Sequence, residues 1–329
     1  MEKKTKSQRI LATVLAVVFL LTIAVNVLVQ VFESYVNNYL GIVLMKNNGT
    51  LPLVNGAAVT MLGRDAADPV YGGAGSCSVD VSAAVTTRAG LEHAGFQINA
   101  TVYDMLLAYA TEKQGDKLAH PKADIVMDKP EESAYYVGEM PVADYSSDAL
   151  ASFASYNDAA IVFIGRGGGE GGDLTQSMEG WDPNYVTGQH QLELNKDEKD
   201  LLALAKKNFE NVVVIINAST SMELGVLEND PDIDSIVWIG SPGQVGFNAV
   251  GDVLSGAVNP SGKTADIYPV DFTKNPTFNN FGYLGYTNVN GFFVQYEEGI
   301  YVGYRYYETA AKESSINYDE AVVYPSATA

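Results

Sequence analysis

Ala159-Ala160-Ile161-Val162-Phe163-Ile164-Gly165 and Val212-Val213-Val214-Ile215-Ile216-Asn217 are the stretches that decide the architecture. Neither contains a charge, and neither alternates apolar with polar residues. Short continuous apolar runs of this kind are strands buried on both faces. Between them, Lys196–Asn208 has the pattern of an amphipathic helix. Asn195 is placed to cap it and Glu198 to complete a capping box. Working outward, Ala57–Gly63 and Ser235–Ile239 read as two more buried strands. Val85–Ala94 (closed by Gly95), Val102–Lys113, Ser147–Tyr156 and Gln244–Leu254 read as helices. Apolar strands alternating with helices predict an α/β domain over residues 41–270, its mostly parallel sheet sandwiched by helices. Residues 114–145 are polar with scattered proline and read as an excursion. Residues 271–329 are rich in Tyr, Phe, Asn and Gly and read as an irregular extension of loops and short strands.

The other end of the chain points to a membrane. Lys3, Lys4, Lys6 and Arg9 precede an uncharged run from Ile10 to Phe32. As a helix at about 1.5 Å per residue the run measures roughly 34 Å, against about 30 Å for a hydrocarbon core. The expectation is a basic cytoplasmic flank (1–9), a single transmembrane signal-anchor (10–32), a linker (33–40) and an extracytoplasmic α/β domain. A cleaved signal peptide, which would leave a secreted domain, is the rival. The whole chain has 329 residues, 40 acidic against 20 basic, for a net charge of -20. Such a surface serves solubility and repels phosphate backbones, so nucleic acid is not an expected partner. Cys77 is the single cysteine, and His93, His120 and His190 lack ligand spacing, so neither a metal nor another cofactor is expected.

Chemistry concentrates in the loop after the 159–165 strand, which reads Gly165-Arg166-Gly167-Gly168-Gly169-Glu170-Gly171-Gly172-Asp173. Gly167, Gly169 and Gly172 satisfy a G-x-G-x-x-G spacing. No convincing helix opens after them, and an acid inside the loop would repel pyrophosphate, so the dinucleotide reading fails. Gly256 to Thr264, ending in Gly-Lys-Thr, has the wrong spacing for a phosphate loop. Glu170 itself is the better lead. Glycines on both sides let a bulky substrate approach the carboxylate. The carboxyl end of a strand in an open sheet is where ligands bind. Partly desolvated there, Glu170 could act as a general acid, although a solvated surface glutamate reads equally well from spacing alone.

The order of several motifs resembles the sandwich domain of glycoside hydrolase family 3, the β-glucosidases and β-xylosidases. Gly41-Ile-Val-Leu-Met-Lys-Asn-Asn-Gly-Thr-Leu-Pro-Leu53 resembles the family's opening segment, and Tyr71-Gly-Gly-Ala-Gly-Ser76 its Gly-Ser loop. Arg166 to Asp173 resembles the loop that carries its general acid/base. Gly240-Ser-Pro-Gly-Gln-Val-Gly246, Asp252 to Lys263 and Glu298 to Glu308 complete the series in the family's order. The resemblance implies a hydrolase of β-linked glycosides or oligosaccharides, with Glu170 as acid/base. Asp173, Arg166 and Trp181 are then substrate-side candidates. Asp173 is read as orienting the loop, binding a sugar hydroxyl or capping a turn. Arg166 is read as pairing with Glu170 or Asp173, or as solvated, and Trp181 as stacking on a sugar ring. Trp238, inside an apolar strand, is expected in the core.

The departures are as specific. The family's nucleophile is an Asp on a separate (β/α)8 barrel, and no Ser-Asp-Trp or Thr-Asp-Trp occurs here. A barrel of about 250 residues does not fit beside this domain. Leu174 stands where many members have Arg, and Ser326-Ala-Thr-Ala329 where the family continues with F-G-Y-G-L-S-Y. The chain looks like a member whose sandwich domain comes first, cut short before its barrel. That implies a barrel in missing sequence or in another chain, and little or no activity alone. The alternative is a non-catalytic, membrane-anchored carbohydrate-binding or sensor module. The Tyr301–Tyr307 cluster is expected to form an aromatic packing surface, exposed if a domain is missing.

Overall fold

The computed structural model describes residues 13–25, 41–73, 75–114, 137–168, 175–280 and 298–323. Among these residues the centre is a six-stranded sheet built from β1 (Val43–Asn47), β2 (Ala58–Leu62), β3 (Gln97–Ile98), β4 (Ala159–Arg166), β5 (Val212–Ala218) and β6 (Ser235–Trp238). The spatial order is β1-β6-β5-β4-β2-β3. All neighbours are parallel except β1, which runs antiparallel along β6 with Val43 opposite Trp238. Every residue of β4 and β5 is buried, as two-sided burial of a parallel sheet requires. The four strands expected from apolar runs are present. β3 was not expected, since two residues carry no periodicity, and β1 lay inside the opening motif without being read as a strand.

Helices α1 (Thr87–His93), α2 (Ala100–Gln114), α3 (Ser147–Ser152), α4 (Lys196–Asn208), α5 (Gly225–Glu228) and α6 (Gly246–Leu254) connect or cover the strands. α4 has the bounds and the capping box expected of it. Asn195 Oδ1 accepts the Glu198 N–H at 2.9 Å, and Glu198 Oε2 accepts the Asn195 N–H at 2.8 Å. α1 and α6 pack backbone to backbone. A Cβ placed on Gly90 would lie 2.3 Å from the Phe247 carbonyl oxygen. Trp238 is partly buried against the core and donates its indole N–H to the Ala218 carbonyl at 2.8 Å.

Beyond residue 270 the expectation of loops and short strands is only partly met. A two-stranded antiparallel pair, β7 (Tyr268–Pro269) and β8 (Val322–Val323), is joined by the helices α7 (Tyr304–Lys312) and α8 (Tyr318–Ala321). α7 was missed because its residues, Tyr304-Arg-Tyr-Tyr-Glu-Thr, are rich in aromatics that favour strands. Its helical turn buries Tyr307 and Ala310 on one side and leaves Tyr304 in solvent. Ile300, Tyr301 and Val302 are exposed as well, so part of the aromatic cluster is an apolar surface and part is core.

Residues 13–25 are helical, with Val14, Leu15, Phe19, Leu20 and Leu21 exposed. Among the described residues no helix is long and apolar enough to cross a membrane. The remainder of the expected anchor, and the 33–40 linker, lie outside the described residues.

Candidate active site at the carboxyl edge of the sheet

The chain leaves β2 to one side, through α1 to β3, and leaves β4 to the other, through α4 to β5. The carboxyl ends of β2 and β4 therefore border a topological switch point, where diverging loops open a crevice. The glycine-rich loop begins there, directly after Arg166, the last residue of β4. Glu170 and Asp173, with Leu174, lie outside the described residues.

What surrounds the base of that loop is a buried ionic network. Gly63 leaves β2 with φ +93°, and a Cβ on it would sit 2.4 Å from the Phe163 carbonyl oxygen, so glycine is required. Asp65 follows in a short 3-10 turn. Its Oδ2 accepts the Gly165 N–H at 2.9 Å and its Oδ1 accepts Arg64 Nη2 at 3.1 Å. Burial pushes the Asp65 carboxyl above its ordinary range, against the pull of Arg64. Glu139 reaches in from the 137–140 segment. Its two oxygens share the Arg64 N–H at 3.0 Å each, and Oε1 also accepts the Met140 N–H at 2.7 Å. Burial, then the nearby Asp65, pushes Glu139 up from 4.5 to about 8. Glu139 was not singled out in the sequence, because it sits in a polar excursion with no local pattern. Asp65 carried a fainter signal, a charged pair immediately after a buried strand.

Arg166 has a different place from either expectation. It is 3% exposed. Nη1 and Nη2 hold the two oxygens of Glu198 at 2.6 and 2.8 Å, and the remaining bonds go to the carbonyls of Gly165, Gln191 and Glu193. A guanidinium has five donors, and here five bonds use them all. No donor is left for a sugar or for a carboxylate of the loop. Arg166 instead clamps the 189–195 segment and the start of α4 to the loop's first residue. Glu198 thus serves two purposes, as capping-box acid and as the arginine's partner.

Trp181 is also withdrawn from the surface. It is 9% exposed and packs with Val137 and Met178. It borders a cleft of about 70 Å³ whose other walls include Glu139, Asp182 and Asn184. That volume is well below the range of small-ligand sites, about 300–1,000 Å³.

The neighbouring loops are tied to the same rim. Asn217, fully buried at the end of β5, accepts the Val70 N–H at 2.7 Å and donates to the carbonyls of Val70 and Gly240 at 2.9 and 2.6 Å. Gly243 donates its N–H to the Tyr71 carbonyl at 2.8 Å, which stitches the Gly-Ser loop to the loop after β6. His190 was isolated in sequence, but its Nε2 lies 3.0 Å from Glu223 Oε1. Its Nδ1 accepts the Leu192 N–H at 3.2 Å, which assigns the ring proton to Nε2. Glu223 also accepts the Phe272 N–H, so the 271–280 segment is fastened to the same edge of the sheet.

Residues 42–304 match the family model of the glycosyl hydrolase family 3 C-terminal domain. The chain is 30% identical to beta-glucosidase A of Butyrivibrio fibrisolvens over 84% of its own length and 32% of the relative's. It is 31% identical to a beta-glucosidase of Ruminococcus albus over 83% of its own length and 26% of the relative's. A solved beta-glucosidase from Paenibacillus barengoltzii superposes with a TM-score of 0.67 at 27% identity, covering 89% of this chain and 28% of that one. The chain therefore spans about a third or less of these relatives. The match of the family model over most of the chain, on a sheet of this topology, makes it a member of the glycosyl hydrolase family 3 C-terminal domain family.

Proposed function

We infer that this chain supplies the general acid/base of a retaining β-glycosidase, with Glu170 as that group and a β-linked glycoside or oligosaccharide as substrate. The observation that carries the reading is the family match across 42–304, which includes β4 and the glycine-rich loop that leaves it at the switch point. The β-glucosidases to which the chain is similar support the substrate class. In this reading Glu170 protonates the leaving oxygen while a carboxylate on a barrel attacks the anomeric carbon. Glu170 then takes a proton from the water that releases the sugar, and the two carboxyls stand about 5–5.5 Å apart. Asp173 helps orient the loop. The clamp made by Arg166 and Glu198 holds the loop's base but touches no substrate. The barrel comes from missing sequence or from another chain. Residues 10–32 anchor the protein in the cell membrane with the α/β domain outside, a reading supported by the exposed apolar side chains of the 13–25 helix.

The test is hydrolysis of p-nitrophenyl β-glucoside by the full chain, alone and mixed with the separately produced barrel of a family member. The expected result is background release alone and restored release with the barrel, abolished by Glu170→Gln. Turnover by the chain alone at the rate of an intact family enzyme would overturn the shared-site reading. Restored turnover untouched by Glu170→Gln would overturn the acid/base assignment. The alternative reading is a non-catalytic carbohydrate-binding or sensor module. Glycan binding that survives Glu170→Ala, with no hydrolysis under either condition, would favour it.

A further inference from the structure

A cavity of about 370 Å³ opens between the segment that follows β7 (270–274), α7 and α8, and none of its lining residues belongs to the crevice beside β4. It falls in the size range of small-ligand sites, about 300–1,000 Å³. It is several times larger than the cleft beside Trp181. Tyr306 and Tyr307 form one corner, their ring centroids 5.1 Å apart and their planes at 72°. Tyr307 is buried and Tyr306 half-buried, so the corner is fixed by packing. Asp271, Asn317 and Glu320 stand around the mouth with Lys274. Asp271 Oδ1 accepts the Thr273 N–H at 2.9 Å, and Oδ2 lies 3.9 Å from the solvated Lys274 Nζ.

This combination selects a chemical class. Apolar aromatic walls suit the C–H face of a sugar ring, and carboxylate and amide groups at one edge suit neighbouring hydroxyls. A phosphate-bearing ligand would meet Asp271 and Glu320 on a chain of net charge -20. Among the described residues no group of three His, Cys, Asp or Glu could hold a metal ion. A purely apolar ligand would strip water from the rim carboxylates without pairing them.

The cavity also has a defined position. Its Val270 wall is pressed against Gly225 of α5, where a Cβ on the glycine would lie 2.7 Å from Val270 Cγ1. Glu223, just before α5, holds the Phe272 N–H. Gln176, just after the glycine-rich loop, donates to the Phe278 carbonyl. The cavity therefore hangs from the carboxyl edge of the sheet, on the side where the acid loop returns. We propose that it is an accessory saccharide subsite that holds a unit of a β-linked oligosaccharide away from the reacting bond. This rests on the glycosidase reading above for the identity of the ligand.

The test is binding, so it needs no barrel. The full chain, kept soluble in a detergent without a sugar headgroup, is titrated with cellobiose and cellotetraose and followed by saturation-transfer NMR. Saturable binding is expected, weakened at least tenfold by Tyr306→Ala, several-fold by Asn317→Ala, and retained in Glu170→Gln. Asn317 is exposed, so its variant reads the site even where loss of Tyr306 disturbs folding. Absence of binding in the unmodified chain overturns the proposal. So does binding undiminished by both substitutions, or binding lost with Glu170→Gln alone, which would put the sugar in the loop. Binding that depends on Tyr306 and Asn317, without Glu170-dependent hydrolysis in the barrel assay, keeps the subsite and rejects the catalytic reading. Hydrolysis without such binding does the reverse.

Discussion

Replacing Glu139 by glutamine should change how stability depends on pH. The Glu139 carboxyl is wholly buried beside Asp65 and is held up at about 8, against an ordinary value of 4.5. The folded state thus keeps a proton that the unfolded chain gives up. Below pH 4.5 both states are protonated and the contribution to stability is complete. Between 4.5 and about 8 it is lost as pH rises, at roughly 1.4 kcal/mol per pH unit. Full titration amounts to about 5 kcal/mol, and the interval from about pH 5 to about pH 8 to about 3–4 kcal/mol. The amide of Glu139→Gln would not titrate, and its carbonyl can still accept the N–H groups of Arg64 and Met140 that Glu139 Oε1 accepts now. Urea unfolding of both proteins at several values between about pH 5 and about pH 8, at constant ionic strength, isolates this group. Repulsion within the acidic surface acts on both proteins alike, whereas the coupling of Glu139 to Asp65 is part of what the comparison reads. The unmodified chain should lose about 3–4 kcal/mol more than Glu139→Gln across that range. Parallel curves, separated by a change of less than about 1 kcal/mol, would refute the assignment of a proton to Glu139 at neutral pH.

Two further outcomes follow from the packing. Arg166→Met or Glu198→Leu alone should cost about 3–5 kcal/mol, since each leaves a buried charge without its partner, while the double variant should cost clearly less than the sum. Additive losses in urea unfolding would show that the pair does not act as a unit. Gly90→Ala should lower the thermal midpoint despite alanine's better helix propensity, because the added Cβ meets backbone atoms of Phe247 that cannot rotate away. An unchanged or higher midpoint would mean that α1 and α6 separate freely.

Much of the sheet could be read from local pattern. β4 and β5 are continuous apolar runs because both of their faces are covered, and that condition leaves its mark residue by residue. α4 could be read to the residue because its capping box depends on Asn195 and Glu198, three positions apart. α7 could not, because aromatic residues that favour strands sit there in a helix held by burial of Tyr307 and Ala310. The site divides in the same way. The glycine-rich loop announces itself, but the fate of Arg166 does not. Its partner lies 32 residues away, and its carbonyl acceptors come from a segment with no motif.

By itself, then, the sequence determined the α/β class, the central strands, the capping of α4 and, through motif order, the family. These are local or ordered properties, written in the period of side-chain burial and in short-range hydrogen bonds. Only the tertiary structure decided that Arg166 is a clamp and Trp181 a packing residue. It alone brought Glu139 and Asp65 together beside the end of β4 and opened a tyrosine-walled cavity between the 270–274 segment, α7 and α8. Each of those depends on which donors and acceptors meet across strands distant in sequence. Burial and complete use of donors are properties of the assembled environment, and no single stretch of chain contains them.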